Sequence, residues 1–178
     1  MIDDTSSAGA RLRGFSMSLP MALLRAREAV MQHFRAMLRS FGITEQQWRV
    51  LRALASKRTV EFSELVEMTF LLAPSMSRIL KELESRKLIV RRTTDEDLRK
   101  INVSITAAGL RLIEKVAPHS EFIYAQISSR YGLKKLATLQ AMLKDLELAL
   151  SGELIAQPSG NESKTSGRLK AGSRSASN

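Results

Sequence analysis

The segment from Ala73 to Ile105 restricts the possible folds of this chain more than any other. Its first part has apolar residues at positions i, i+3, i+4 and i+7: Met76, Ile79, Leu80 and Leu83. On a helix, such spacing places the apolar side chains in one stripe. Pro74 suits the first turn, where its missing N–H would have had no partner within the helix. The pattern therefore predicts a helix with one buried face and one polar, basic face.

A short β-hairpin is predicted directly after this helix. Residues 88–93 are rich in β-branched side chains and residues 101–105 alternate with period two, so both segments are predicted strands. Residues 94–100 between them are polar and carry five charges, which is typical of a hairpin tip. A helix followed by a hairpin with a charged tip has the outline of a winged helix.

Three helices are predicted before this segment. The first covers residues 19–41, whose apolar side chains recur on one helical face. Thr44 and Gln47 match a capping box, in which each side chain bonds the backbone amide of the other residue, and they open the second helix. A short third helix is predicted over residues 63–68, with Ser63 as its cap.

Two helices are predicted after the hairpin. Thr106 caps the first, and Pro118 is expected to kink or break it because proline removes a backbone hydrogen bond. After Gly132, leucines spaced three and four residues apart form a seam like that of a coiled coil: Leu136, Leu139, Leu143, Leu146 and Leu150. The seam either packs on its own domain or forms a dimer interface, and the lack of a covering layer favours the dimer.

Composition narrows the classes of function. The formal net charge of +10 over 178 residues favours a polyanionic partner, either nucleic acid or an anionic membrane surface. The basic residues are spread over helix, hairpin and tail rather than along one amphipathic face, which favours nucleic acid. The chain has no cysteine, so disulfides and cysteine-ligated metal sites are excluded.

We expect no catalytic activity, no cofactor and no metal. The two histidines, His33 and His119, are far apart and outside any metal-binding spacing, and no phosphate-holding glycine loop is present. No run of the chain approaches the ~18 uncharged apolar residues of a membrane span, and the early charges are unlike those of a secretory signal. The expected location is the cytoplasm, with no membrane partner.

Residues 97–109, Asp-Leu-Arg-Lys-Ile-Asn-Val-Ser-Ile-Thr-Ala-Ala-Gly, resemble the wing signature of MarR-family transcriptional regulators. In that family an Asp, an Arg two places on, an apolar strand, a Thr and a later Gly recur. Residues 83–91 resemble the family's join between recognition helix and wing, except that Lys87 stands where glycine is usual. A lysine in a left-handed turn is less stable than a glycine there by about 1 kcal/mol. The turn at Lys87 therefore has either the left-handed conformation usual in the family or a different one.

The resemblance covers residues 19–150 and implies a mostly α fold with a small β-hairpin wing. That fold is a winged helix-turn-helix in which N- and C-terminal helices form the dimerisation region. The implied organisation has a flexible arm at residues 1–17, a MarR-type domain at residues 18–151 and a disordered basic tail at residues 152–178. Within the domain, residues 42–106 would be the DNA-binding lobe, and residues 19–41 and 107–151 the dimerisation helices.

Within the family, residues 22–29 and 44–52 are most similar to the homoprotocatechuate-degradation repressors. Those regulators sense aromatic carboxylic acids and control genes for their breakdown. The similarity implies a repressor that a small aromatic carboxylic acid, or a conjugate of one, releases from DNA. The competing interpretation is a non-specific architectural DNA-binding protein without a ligand response.

Short polar side chains on the exposed face of a helix can approach base edges in the major groove. Near the start of the Ala73 helix, the predicted contacts of this kind are Ser75, Ser77, Arg78 and Lys81. Arg78 is the predicted base contact. The alternative is that Arg78 and Lys81 only solvate the helix or pair with Glu82 and Glu84. A homodimer would place two such helices about one DNA turn apart, so the predicted partner is a pseudo-palindromic operator in double-stranded DNA.

The hairpin supplies the other predicted DNA contacts. Arg99 is expected to enter the minor groove, where a narrow A·T-rich groove attracts cations, and Asp97 is expected to orient its guanidinium group. Arg91, Arg92 and Lys100 are better placed for phosphates. The alternative is a hairpin tip whose charges are only solvated.

The predicted ligand site lies near the first two helices. Arg27 lies close to the apolar stripe of the first helix, and a buried guanidinium group needs an anionic partner. That partner is either internal, Glu45 or Glu61, or the carboxylate of an aromatic ligand, which arginine can hold with two bonds. The pocket is predicted between the first, second and fifth helices. Besides Arg27, its predicted ligand-binding residues are His33, Trp48 and Arg49. For His33 and Trp48, a purely structural role is the competing interpretation.

Overall fold

The computed structural model describes residues 14–15, 18–94 and 97–152, except for the side chains of residues 94 and 97–99. The predicted flexible arm and basic tail lie almost wholly outside the described residues. The described part contains six helices and three strands in this order: α1 Leu19–Ser40, α2 Glu45–Lys57, β1 Thr59–Glu61, α3 Phe62–Thr69, α4 Ala73–Ser85, β2 Ile89–Thr94, β3 Asp97–Ile105, α5 Ala107–Tyr131 and α6 Leu133–Leu150.

The strands form one small antiparallel sheet in the order β1-β3-β2. In the hairpin, Ile89 lies opposite Ile105, and on the other side of β3, Thr59 lies opposite Ser104. The predicted fold class, mostly α with a small hairpin wing, is confirmed. The strand β1 was not predicted, and β3 begins at Asp97, within the segment predicted to be a turn.

The predicted helix starts are confirmed at three positions. The Gln47 N–H donates to Thr44 Oγ1 at 3.2 Å, and Gln47 Oε1 accepts from the Thr44 N–H at 3.0 Å, which is the full capping box. Thr106 Oγ1 accepts from the N–H of Gly109 at 3.1 Å and caps α5. Pro74 lies in the first turn of α4.

One predicted helix start is wrong, and of the two predicted effects of Pro118 the structure excludes the break. Ser63 does not cap α3, because β1 extends to Glu61 and the helix begins at Phe62; the Ser63 hydroxyl donates to Glu61 Oε1 at 2.8 Å instead. Pro118 does not break α5, which continues from Ala107 to Tyr131. Its neighbours Val116 and Ser120 are buried, so packing holds the helix on both sides of the lost hydrogen bond.

Two helices end in the same left-handed turn. Gly42, after α1, has φ +65°, and Lys87, after α4, has φ +57°. In each turn, the N–H of that residue and the N–H of the next bond carbonyls three and five residues earlier, which is the Schellman motif. Lys87 therefore adopts the conformation that a glycine would adopt without strain.

The main core joins α2, α3 and α4 to the sheet: Val50, Leu51, Leu54, Val60, Leu65, Met76, Leu80, Leu83, Leu88, Ile89 and Val103. The predicted apolar stripe of α4 points into this core, with Ile79 at its margin. A second cluster joins α1, α2 and α5: Phe34, Leu38, Ile43, Trp48 and Val116. These clusters fix the α4 helix and the hairpin relative to α2 and α5.

The first half of α1 is more exposed than its periodicity predicted. The apolar face predicted for this helix includes Leu23 and Val30, but both are exposed, and the buried residues of α1 are Phe34 and Leu38. Only the second half of the helix packs against α2 and α5. The leading half leaves an apolar surface open.

From Lys134 onward, α6 belongs to a unit separate from the preceding part of the described chain. Within α6 no residue is buried, and Leu139 and Leu143 of the leucine seam are exposed. Among the described helices of the chain, none is long and apolar enough to cross a membrane.

Candidate functional site

The exposed face of α4 carries the polar residues that the sequence predicted. Ser77, Arg78 and Lys81 are exposed, and Ser75 is half-buried at the edge of the helix. Within the described part of the chain, neither Arg78 nor Lys81 forms an ion pair. Both cations are therefore available to an anionic partner.

Glu84, at the end of α4, is bound by Arg91 at the start of the hairpin. Glu84 accepts from the Arg91 backbone N–H at 3.1 Å and from its Nε at 2.9 Å, and Arg91 Nη2 makes a further contact. The hydrogen bond from the Arg91 side chain holds the pKa of Glu84 below its ordinary value. Arg91, a predicted phosphate contact, is thus engaged in joining α4 to β2.

The remaining wing residues lie along the two hairpin strands. Arg92 is on β2 opposite Asn102, and Lys100 is on β3, and both side chains are exposed. Asp97 and Arg99 belong to β3, but their side chains lie outside the described part. The proposed entry of Arg99 into the minor groove stays a prediction.

The base of the wing is fixed to both flanking helices. The Leu88 N–H donates to the Leu83 carbonyl at 3.0 Å, and the Thr106 N–H donates to the Leu88 carbonyl at 3.0 Å. Gly109 allows this approach, since a Cβ at that position would lie 2.3 Å from the Leu88 carbonyl oxygen. The backbone at Leu88 is therefore bonded to the end of α4 on one side and to the N-cap of α5 on the other.

A cavity of about 480 Å³ lies between α1, α2 and α5, with Met68 of α3 at its edge. This is the location that the sequence predicted for a ligand pocket. Trp48 and Tyr124 line it, and the rings of Phe34 and Tyr124 pack with centroids 5.0 Å apart. Its polar lining contains Glu45 and three arginines: Arg27, Arg49 and Arg52.

Glu45 is the central acceptor of an arginine cluster beside this cavity. Its side chain is only 7% exposed and accepts from Arg35 Nε at 2.7 Å, from Arg49 Nη2 at 2.9 Å, and from Arg27 Nη2. Arg35 also bonds Glu28 with distances of 2.6 and 2.8 Å. These bonds lower the pKa of Glu28 and raise the pKa of Arg35.

Arg27 therefore has an internal partner, Glu45 rather than Glu61. The prediction that its guanidinium group is buried is wrong, because its side chain is 43% exposed on the uncovered half of α1. Its Nη1 also donates to Glu28 at 2.8 Å. Arg27 thus pairs with two protein carboxylates, which it shares with Arg35 and Arg49, so these five side chains keep a net charge of one positive unit.

Arg49 is held by the protein at both ends of its guanidinium fork. Nη2 binds Glu45, and Nη1 donates to the carbonyl of Thr69, the last residue of α3, at 2.9 Å. Arg52, one turn further along α2, lines the same cavity and is exposed. In the described part of the chain, Arg52 has no ion-pair partner.

The sequence analysis missed Arg52. The available signal was its spacing of four residues from Trp48, which places the two side chains on the same side of α2. His33, in contrast, does not line this cavity. It lines a second one of about 510 Å³ between α1 and α5, together with Phe122, Arg130 and Tyr131. Three of the four predicted ligand residues are thus brought together, and His33 is not.

An exposed helix whose Arg78 and Lys81 form no ion pair with the described residues, followed by a hairpin, is the arrangement of a winged helix-turn-helix protein. The model of the MarR family matches residues 41–100. The chain is 35% identical over 129 residues to the HTH-type transcriptional regulator FarR of Neisseria gonorrhoeae, covering 72% of this chain and 88% of that protein. It is also 35% identical over 128 residues to the homoprotocatechuate degradative operon repressor of Escherichia coli, covering 72% of this chain and 86% of that protein.

The chain therefore belongs to the MarR family of transcriptional regulators, and the resemblance inferred from its wing and first two helices is confirmed. A similar solved structure is the crystal structure of NadR in complex with 4-hydroxyphenylacetate, with 34% identity and a TM-score of 0.66. That similarity covers 77% of this chain and 97% of NadR.

Proposed function

We propose that this protein is a sequence-specific repressor that a small aromatic carboxylic acid releases from its operator. The observation that carries the proposal is a cavity with aromatic walls and one arginine, Arg52, that no carboxylate of the described chain neutralises. The names of its relatives support it. One relative is a repressor of a homoprotocatechuate degradative operon, and NadR was crystallised with 4-hydroxyphenylacetate. The regulated genes would then serve the breakdown of aromatic compounds.

The cavity suits an aromatic ring that bears a carboxylate. Trp48 and Tyr124 offer flat apolar surfaces to the ring, and the fork of Arg52 can hold the carboxylate with two hydrogen bonds. Arg27 and Arg49 contribute positive potential, but Glu45 already occupies their nearest donors. We therefore assign the carboxylate to Arg52 and the cavity wall to Trp48.

The proposed operator complex contains a homodimer. The exposed leading half of α1 and the exposed seam of α6 are the surfaces that a second copy would cover. In this organisation residues 42–106 bind DNA, residues 19–41 and 107–151 dimerise, and the segments 1–17 and 152–178 are an arm and a basic tail. The regulator would act in the cytoplasm on a pseudo-palindromic site, with each α4 in the major groove.

The direct test is fluorescence anisotropy with a duplex from upstream of the protein's own gene. A scrambled duplex of equal composition is the control, and a panel of aromatic acids, including 4-hydroxyphenylacetate, is added to each complex. Selective binding that one acid relieves supports the proposal. Equal affinity for both duplexes would instead favour a non-specific architectural protein.

The salt dependence of operator binding tests the proposed dimer. If each dimer neutralises ~6–10 phosphates, affinity should fall by a factor of ~10³–10⁵ between 50 and 200 mM salt.

Acid binding can be measured separately, because Trp48 is the sole tryptophan of the chain and lines the cavity. Titration of its fluorescence gives the Kd of the acid without DNA. Arg52→Ala is expected to raise this Kd by about 10- to 100-fold, the value of a charge-assisted hydrogen bond. Arg111→Ala removes the same charge from an exposed position on α5 and is the matched control. Equal Kd values for the two variants would contradict the assignment of Arg52.

A further inference from the structure

The turn between α3 and α4 exposes two large apolar side chains. Phe70 is 84% exposed and Leu72 is 79% exposed, the two highest values among the large apolar residues of the described chain. They are separated by one residue and lie directly before α4. Single exposed apolar residues are common on protein surfaces, but a pair this exposed beside a functional helix calls for an explanation.

Folding alone favours neither side chain at its position. Phe70 has φ +53° and ψ +36°, a left-handed conformation that suits glycine or asparagine and strains a bulky residue. Leu72 is the N-cap of α4 and provides no side-chain hydrogen bond there, whereas serine or aspartate would provide one. Both positions thus hold a residue that is locally unfavourable and solvent-exposed.

The position of the pair indicates its partner. The Leu72 carbonyl accepts from the Met76 N–H at 2.9 Å, so Leu72 begins the helix whose exposed face carries Ser77 and Arg78. When the start of a recognition helix enters the major groove, the turn before it approaches the same stretch of DNA. The groove offers thymine methyl groups at this point, and the backbone at its edge offers the carbon atoms of deoxyribose.

We propose that Phe70 and Leu72 make an apolar contact with duplex DNA beside the base-reading face of α4. The inference rests on the proposed function, since it needs α4 to lie in the major groove. A second copy of the chain is a poorer partner for this surface. The exposed cations Arg78 and Lys81 lie on the helix that Leu72 begins and lack a carboxylate partner in the described chain, so two copies of this helix would repel each other.

The test uses Phe70→Asn and Leu72→Ser, which favour the local backbone: asparagine tolerates the left-handed conformation and serine caps a helix. Both variants are expected to melt at or above the temperature of the wild type. Operator affinity is expected to fall by about tenfold in each, the value of one large apolar contact. The salt dependence of binding should stay the same, since no phosphate contact is lost. Phe15→Asn, at a residue 76% exposed before α1, is the matched control.

A second set of duplexes separates the two kinds of apolar group. Deoxyuridine replaces thymidine at one operator position at a time, which removes a single methyl group. If the contact is to a methyl group, deoxyuridine at one operator position weakens the binding of the wild type. The same substitution does not weaken the binding of whichever variant, Phe70→Asn or Leu72→Ser, has lost that contact. If no position does so while the variants still lose affinity, the contact is to deoxyribose.

Unchanged operator affinity in both variants would overturn the inference. If the affinity is unchanged but the sedimentation coefficient of the variants differs from that of the wild type, the surface contacts a second copy of the chain instead. Failure of the proposed function is seen separately. In that case the wild type itself does not distinguish the operator from the scrambled duplex.

Discussion

Arg49 donates from Nη1 to the Thr69 carbonyl at 2.9 Å, so a residue that lines the ligand cavity is bonded to the last residue of α3. The other arm of the same guanidinium group binds Glu45. The helix α4 begins a few residues after Thr69. This bond therefore joins the cavity to the end of α3, with three residues between that end and the helix proposed to read DNA.

Replacement of Arg49 by lysine is expected to weaken the response to the acid. A single ammonium group cannot hold Glu45 and the Thr69 carbonyl in the geometry of a guanidinium fork. The ratio of operator Kd values with and without acid measures the coupling between the two sites. At saturating acid this ratio should move toward 1 in Arg49→Lys, as measured by anisotropy.

Saturation is checked by the fluorescence of Trp48, so that a change in acid affinity is not mistaken for a change in coupling. Arg111→Lys on α5 is the control, and its ratio should equal that of the wild type. A wild-type ratio in Arg49→Lys would show that the bond to Thr69 does not transmit the signal.

Glu45→Gln is expected to destabilise the protein. The substitution leaves three guanidinium groups close together with one carboxylate fewer, although their side chains are 32–43% exposed. We expect a loss of about 2 kcal/mol in the free energy of unfolding, below the ~3–5 kcal/mol of a fully buried pair. Urea unfolding measures it. Glu64→Gln, which breaks the exposed pair with Lys57, should cost under about 0.5 kcal/mol, and equal losses in the two variants would refute the central role of Glu45.

The Glu84–Arg91 bond predicts a pH dependence of stability. The pKa of Glu84 is lowered in the folded protein, so its contribution is complete above the ordinary glutamate pKa of about 4.3. It is lost as the pH falls through the lower folded-state pKa. Glu84→Gln should therefore be less stable than the wild type at neutral pH, and the difference between their urea midpoints should shrink in acid.

Glu82→Gln is the control for this pH dependence, since Glu82 lies on the same helix and forms no ion pair with the described residues. Its urea midpoint should follow that of the wild type at every pH. A constant difference between Glu84→Gln and the wild type across the acid range would contradict the proposed contribution.

Local signals in the sequence account for most of the fold. The apolar stripe of α4 and the capping box at Thr44 involve residues within one or two helical turns, so each can be recognised without tertiary information. The strand β1 could not be recognised in this way. It has three residues, Thr59–Glu61, and is a strand because it pairs with β3 more than forty residues later. That pairing also displaced the predicted start of α3.

The candidate site was predictable in its location but not in its charge balance. Trp48 and Arg27 indicated a cavity beside α1 and α2, and the cavity lies there. Which arginine is available to a ligand depends on Glu45, which binds Arg27 and Arg49 but not Arg52. Such a distribution follows from the tertiary arrangement of three helices. The spacing of residues in the sequence does not predict which arginines pair with Glu45.

The two left-handed turns at Gly42 and Lys87 give a reciprocal test of backbone strain. A side chain in this conformation lowers the free energy of unfolding by ~1–2 kcal/mol, which a glycine would restore. The greater freedom of glycine in the unfolded chain cancels ~0.5–1 kcal/mol of that increase. Lys87→Gly should therefore stabilise the protein by about 0.5–1 kcal/mol. Gly42→Lys should destabilise it by a similar amount, because a Cβ there meets no atom within 4 Å and the cost is that of the backbone alone.

Urea unfolding with an unchanged m-value measures both effects as shifts of the midpoint in opposite directions. Lys115→Gly, at an exposed position inside α5, is the control for the loss of a lysine, and it should cost about 1 kcal/mol as glycine does within a helix. A decrease in stability for Lys87→Gly would mean that the lysine side chain contributes more to the folded state than its backbone strain removes.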